Sequence, residues 1–351
     1  MPKSKKQMIS IIEKKQTEVF YVSDFSQTKN AFSGYKNKKI AIISPLGQSK
    51  TAERLSEVIK ESGADVFIYK IHDGENCKTI ENALKISNFL DENGFSRSDV
   101  IVNLGGGTIC DLGGFVASIY KRGVQYINIP TTLLCAVDAA IGGKTAIDCN
   151  GKKNQWGTFY QPSFVIIIGE ILNKLSPELI EAGLSEIVKY AVIDADFCNY
   201  LAALSTDDFK AELLSVIQKC IEIKGRYIEL DERDKNVRHA LNAGHTVAHA
   251  IEMQSEFSVD HASAVMIGLI TETEMSYKLN YIDFEQYNKL TALYEKYFGE
   301  YVKLDADEFE NLIPFMQSDK KNENNKICFV LPYGKSVKTI FFGDEVREIL
   351  K

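Results

Sequence analysis

The alternation of strand-like and helix-like segments between Lys39 and Ile168 constrains this chain more than any other feature. Residues 39–44 are a β-branched run suited to a strand buried on both faces. Residues 51–62 have helical periodicity and stop at Gly63, and 65–69 read as the next strand. A helix over 79–93, stopped by Gly94, leads to a strand at 99–104. That strand runs straight into Gly105-Gly106-Gly107, a helical segment at 108–121 and a strand at 124–129, and 164–168 is the last strand of the series. Strands separated by helices pair in parallel, so this half is an α/β, Rossmann-like sheet. After Glu170 the periodicity is helical: 179–192 behind a Ser176-Pro177 start, then 207–230, 237–254, 260–279, 283–298 and 307–316. A strand at 327–331 with a partner at 338–342 closes the chain. At 351 residues two domains are expected, 1–170 (α/β) and 171–351 (mainly α-helical), with a ligand cleft between them.

Bulk properties exclude several function classes. A net charge of −7 gives no support to a nucleic-acid or anionic-membrane partner. Seven cysteines without a CxxC pair indicate neither a disulfide framework nor a zinc ribbon, and fit a reducing, cytoplasmic compartment. The basic N-terminus is broken by charges before a signal-length apolar run develops, and the longest apolar run, 164–168, is far too short to span a bilayer.

The chemistry concentrates in 237–252, VRHALNAGHTVAHAIE. Read as one helix turning ~100° per residue, it places Asn242, His245, His249 and Glu252 within roughly 40° of Arg238. A cation, an amide, two imidazoles and a carboxylate on one stripe suit a metal or an anionic substrate better than a solvated face. His245, His261 and Glu186 form a one-carboxylate, two-histidine set suited to Zn²⁺ or a similar ion; His245 and His249, as HxxxH, are the other candidate pair. Thr246 follows His245, so HExxH is absent and a zincin protease is disfavoured. Glu186 and Lys189, three apart on one helix face, otherwise read as an ion pair.

Two glycine stretches suggest phosphate binding. Gly105-Gly106-Gly107 presents backbone N–H groups at a helix start, although Cys110 breaks the GxGxxG spacing. Gly142-Gly143-Lys144 lacks the Walker spacing; Asp138, Lys153, Asn154 and Trp156 surround it in what reads as a loop.

These blocks resemble the 3-dehydroquinate synthase family over about residues 70–335. The matching residues are Asp73-Gly74-Glu75 with Lys78, the glycine turn with Asp111, Arg122-Gly123, Pro130-Thr131-Thr132, Asp138 with Gly142-Gly143-Lys144, and Lys153-Asn154. They continue with Glu186 and Lys189, Lys224, Asp231-Glu232, Arg238, Asn242, Gly244-His245, His249, Glu252, His261 and Asp319-Lys320-Lys321. The resemblance implies an NAD-binding half and a metal-binding half, with Zn²⁺, Co²⁺ or another divalent ion on Glu186, His245 and His261. It implies NAD contacts from Glu75, Lys78, Gly105, Gly106, Gly107, Asp111, Thr131, Thr132, Asp138 and Lys153. It implies a phosphosugar-acid substrate, 3-deoxy-arabino-heptulosonate 7-phosphate, held by Lys144, Asn154, Lys189, Lys224, Arg238, Asn242, His249 and a lysine of 319–321. Arg122 is implied to reach in from the partner subunit of a homodimer. The implied reaction oxidises an alcohol transiently, eliminates phosphate, re-reduces the ketone and closes a carbocycle by an aldol step, within the shikimate pathway to aromatic amino acids. Three departures stand out: His261-Ala262-Ser263 where the family reads His-Gly-Glu, Cys110 and Trp156. The competing readings are a cyclase making deoxy-inosose or valiolone rings, a metal- and NAD-dependent polyol or glycerol-phosphate dehydrogenase, and a non-catalytic binding relative.

Overall fold

The fold was described from a computed structural model covering residues 16–72, 74–318, 322 and 324–351. The expectations placed on Asp73 and on Asp319-Lys320-Lys321 lie outside the described residues. The N-terminal sheet contains β1 (Glu18–Val22), β2 (Lys39–Pro45), β3 (Asp65–Ile71), β4 (Val100–Gly105) and β5 (Gln125–Pro130). A hairpin of β6 (Lys144–Cys149) and β7 (Lys152–Phe159) precedes its last strand, β8 (Phe164–Ile168). The order is β1-β8-β5-β4-β2-β3, and every pairing in it is parallel.

Side-chain alternation sorts the two faces of the sheet. Ile40, Ile42, Val100 and Val102 pack with Ala52, Leu55 and Ile59 of α1 (Ser49–Lys60). Ala41, Ile43 and Ile101 pack instead with Ile86 and Leu90 of α2 (Ile80–Glu92) and with Leu112 and Val116 of α3 (Gly107–Ile119). Burial on both sides explains why these strands are unbroken apolar runs. The chain steps from β2 outward to β3 and then back across β2 to β4, which makes the β2/β4 boundary a topological switch point. The glycine turn leaves the end of β4, the strand that borders this switch point, and Gly105 pairs with Pro130 of β5 on its other side.

The second half holds α4 (Gly169–Leu172), α5 (Pro177–Ile193), α6 (Ala195–Ala203), α7 (Thr206–Ala211), α8 (Leu213–Leu230), α9 (His245–Gln254), α10 (His261–Lys278), α11 (Phe284–Phe298) and α12 (Ala306–Met316). The antiparallel pair β9 (Ile327–Tyr333) and β10 (Ser336–Phe342) follows, with Lys338 opposite Leu331 and Phe342 opposite Ile327. Ser176 caps α5 through the Leu179 N–H, with Pro177 in the first turn. The two halves share a core: Val165 and Ile167 of β8 pack in one cluster with Ile187, Val188, Val247 and Val265. No helix among the described residues is long and apolar enough to cross a membrane.

Three local expectations change, and one strand is added. The loop expected around 144–159 is the β6–β7 hairpin; β7 is exposed along almost its whole length, so it carries no apolar alternation to announce it. β1 joins the sheet at its edge, beside β8. The helix expected over 207–230 divides at Glu212, where α7 ends and α8 begins. The single helix expected over 237–252 is a 3-10 turn, Val237–Asn242, followed by a break and then α9. Gly244 sits in the break at φ +79, a left-handed conformation that ends the first segment. Its N–H donates to Glu272 Oε2 at 2.6 Å.

Candidate active site

Glu186 lies mid-way along α5 and is almost fully buried, His245 opens α9 directly after Gly244, and His261 opens α10 behind the N-cap Asp260. One ligand atom from each residue falls within 4.8 Å of the other two. His245 Nε2 is 3.5 Å and His261 Nε2 3.4 Å from Glu186 Oε1. His245 Nδ1 faces the Ala243 carbonyl at 3.0 Å, so it carries the proton and leaves the Nε2 lone pair toward the site. His261 Nδ1 faces Glu252 Oε1 at 3.0 Å in the same sense.

Burial and neighbouring charge pull the three groups in different directions. Burial holds the His245 imidazolium down to about 4 despite Glu186. Burial also opposes the His261 charge, but Glu186 and Glu252 overrule it and raise that group to about 10. Burial works against Glu186 ionisation too, and Lys189 with the two imidazoles still holds it well below the usual carboxylate range. A buried carboxylate with two imidazole Nε2 atoms facing it could hold a divalent ion, and the donor set fits Zn²⁺ or Co²⁺. His249 stacks edge-on to His245, with ring centroids 5.6 Å apart, but the converging set is Glu186, His245 and His261. The HxxxH pair is therefore not the set that converges.

A second cluster adjoins the first. Lys189 pairs with Glu186 and reaches Asp138 Oδ1 at 3.6 Å. Lys224 Nζ donates to Asp138 Oδ1 at 2.8 Å and to its carbonyl at 2.6 Å, and the Tyr190 hydroxyl donates to the same carboxylate at 3.0 Å. Asp138 occupies a π-turn, Cys135–Ala139. Burial opposes its charge, yet Lys189 and Lys224 hold it well below the usual range. Arg238 is buried; its guanidinium donates to the carbonyls of Glu232 (2.6 Å) and Gly142 (3.0 Å), and its Nε has no partner. Lys144 pairs with Asp234, while Asn242 Nδ2 donates to the His239 carbonyl at 3.2 Å. The 3-10 turn and the break mean that Arg238, Asn242, His245, His249 and Glu252 do not form the continuous helical stripe expected from their spacing.

A third cluster lies beside the glycine turn. Lys78 is buried, with Asp111 Oδ2 at 2.9 Å and Glu75 Oε1 at 3.2 Å. Burial raises the Asp111 carboxyl to about 6, more than Lys78 lowers it. Lys78 also donates to Asn154 Oδ1 at 2.5 Å. Asn154, expected on the substrate, thus meets residues expected on the cofactor. The Thr131 N–H donates to the Gly105 carbonyl at 2.9 Å, and Thr132 flanks Gly106. A Cβ on Gly107 would stand 3.1 Å from Ala139 Cβ, which leaves α3 seated close against the Asp138 turn. Lys153 lies over the Phe257 ring at 4.4 Å and bridges the hairpin to the segment between α9 and α10. Arg122 is exposed at φ +66 and joins none of these clusters. Sequence reasoning missed Tyr190, Asp234 and Glu272; no periodicity links them to their partners.

The family described as 3-dehydroquinate synthase N-terminal matches residues 68–182, and 3-dehydroquinate synthase C-terminal matches 183–322. The chain belongs to the 3-dehydroquinate synthase family. Among relatives of that name, the one from Pyrococcus abyssi (strain GE5 / Orsay) is 41% identical over 84% of this chain and 87% of its own. The 3-dehydroquinate synthase of Thermoanaerobacter sp. (strain X514) is 37% identical over 85% and 86%. A crystal structure of 2-deoxy-scyllo-inosose synthase with carbaglucose-6-phosphate, NAD⁺ and Co²⁺ superposes with a TM-score of 0.81 at 21% identity, covering 95% of each chain. That likeness shows the two-part fold. The expected family membership and fold class therefore stand, and the departures at Cys110, Trp156 and Ala262-Ser263 lie within a member of the family.

Proposed function

We infer that this chain is a phosphate-eliminating carbon–oxygen lyase that converts 3-deoxy-arabino-heptulosonate 7-phosphate to 3-dehydroquinate, using NAD⁺ and a divalent metal. One observation carries the reading: Lys189 bridges Glu186 of the metal triad and Asp138 of the lysine cluster. An anionic substrate held by the lysines is thereby held beside the metal.

A divalent cation on Glu186, His245 and His261 would supply a Lewis acid, and NAD⁺ at the switch point a reversible store for two electrons. The protein's own share is geometry and charge. Lys189, Lys224 and Arg238 are buried cations, already desolvated, so a phosphate or carboxylate meets them without the full cost of stripping their water. Asp138 keeps Lys189 and Lys224 charged and aimed, and Arg238 adds a third buried cation. Lys144, Asn154, Asn242, His249 and a lysine of 319–321 complete the substrate set in this proposal. Few strong bases are needed, because the leaving phosphate can accept the proton of the elimination itself.

For the cofactor we assign Glu75, Lys78, Gly105, Gly106, Gly107, Asp111, Thr131, Thr132, Asp138 and Lys153. The position of the glycine turn at the end of β4, the strand that borders the switch point, supports this. We assign the NAD-binding domain to 1–170 and the metal- and substrate-binding domain to 171–351. A homodimer, with Arg122 completing the partner's site, is supported by the exposed Arg122 and by the open edge strand β7 with its half-exposed Trp156. The buried thiols of Cys110 and Cys135, with Sγ atoms 3.5 Å apart and not joined, support a reducing cytoplasm.

Purified protein with NAD⁺ and Zn²⁺ or Co²⁺ is expected to release phosphate from the heptulosonate phosphate with no net NADH. Net NADH would establish the dehydrogenase reading. Turnover of sedoheptulose 7-phosphate or glucose 6-phosphate alone would establish a different cyclase.

A further inference from the structure

Glu252 has no place in the substrate, cofactor or ligand sets above, yet it is buried against one of the ligands. It sits on α9, seven residues beyond His245, so two helical turns bring both onto one side of that helix. Its Oε1 lies 3.0 Å from His261 Nδ1, while Nε2 of the same ring points at Glu186, 3.4 Å away. His261 is the most exposed of the three ligands: its side chain is 38% accessible, against 12% for His245 and 2% for Glu186. Packing alone therefore does least to fix its ring. The two histidines are oriented by different means, His245 by the neutral Ala243 carbonyl and His261 by a carboxylate.

The neighbouring acid that could share this task is absent. Position 263 is serine, and its N–H and hydroxyl both go to Asp260, at 3.0 and 2.6 Å, capping α10. Asp260 is thereby committed to the helix end.

We propose that Glu252 is a positioning residue that fixes the ring and tautomer of His261 for the divalent cation, so that α9 supplies one metal ligand and orients another. The inference rests on the metal-centre reading above. An accepted Nδ1–H···carboxylate bond locks the lone pair on Nε2 and makes that nitrogen a stronger donor to a cation. Removing the charge leaves a ring that samples both tautomers and a weaker bond to the metal.

The test is Co²⁺ binding to metal-free, full-length protein, by competitive chelator titration and by the visible ligand-field band, for wild type, Glu252→Gln, Glu252→Asp and His245→Ala. Wild type is expected to bind one Co²⁺ and His245→Ala none. Glu252→Gln is expected to weaken binding about 10–100-fold and to change the band, with Glu252→Asp between them. A Glu252→Gln protein with wild-type affinity and band overturns the inference, even if its thermal midpoint falls, because Glu252 would then only support the fold. If Glu252→Gln does not fold, wild-type affinity in Glu252→Asp overturns it instead. Co²⁺ retained by His245→Ala removes the metal-centre reading, and this inference with it.

Discussion

Replacing His245 with alanine is expected to abolish metal binding and phosphate release together. The triad has one carboxylate and two imidazoles, and no fourth protein ligand converges on it among the described residues. Losing His245 Nε2 leaves two ligands on different helices, too few to hold a divalent ion against water. Lewis-acid stabilisation is worth several kcal/mol, so phosphate release is expected to fall about 10³-fold or more. Metal analysis of the dialysed protein and a phosphate assay check both halves. Unchanged metal content with normal folding would remove His245 from the ligand set.

Replacing Gly268 with alanine is expected to act from a distance with an effect nearly as large. A Cβ there would lie 1.9 Å from the Gly244 carbonyl oxygen, and the obstacle is backbone rather than a side chain that can swing away. Gly268 stands two turns along α10 from His261, and Gly244 directly precedes His245. The close approach of these two glycines therefore sets the spacing of the two histidines. The substitution must push α10 off the break that precedes α9, which costs about 3 kcal/mol or more. Urea unfolding should show a lower midpoint, and metal affinity should fall with it. Gly225 in α8 is the control: a Cβ there meets nothing within 4 Å, so Gly225→Ala is expected to stabilise by about 0.5–1 kcal/mol. Equal midpoints for Gly268→Ala and wild type would show that the α9–α10 contact does not set the spacing of the two histidines.

Much of the scaffold was legible because burial writes it into short-range pattern. β2, β4 and β5 are apolar on both faces, and the expected strands match them within a residue or two. The expected pairing of 327–331 with 338–342 is the observed register of β9 and β10. Exposed β7 has no such pattern, so the hairpin that carries Lys153 and Asn154 reads as loop. The stripe on 237–252 failed for a related reason. A glycine within a helical period is tolerated in general, and what turns Gly244 into a break is its left-handed φ together with a carboxylate 28 residues further on.

The residue types of the site were all present in the sequence, and the family blocks named their roles. Glu186, His245 and His261 do converge, and their expected ligand set matches the cluster in the fold. The pairings between charges were not readable: Asp138 serves Lys189 and Lys224, Glu252 serves His261, and Lys78 meets Asn154. Spacing along one helix fixes neighbours only three or four residues apart. Hydrogen bonds act only at contact distance, and burial sharpens that dependence by removing the water that would otherwise screen each charge. The buried strands, most of the helices and the candidate ligand residues were legible in the sequence. Which carboxylate answers which cation was decided only when packing brought residues between 9 (Glu252 and His261) and 86 (Asp138 and Lys224) positions apart into the same dry interior.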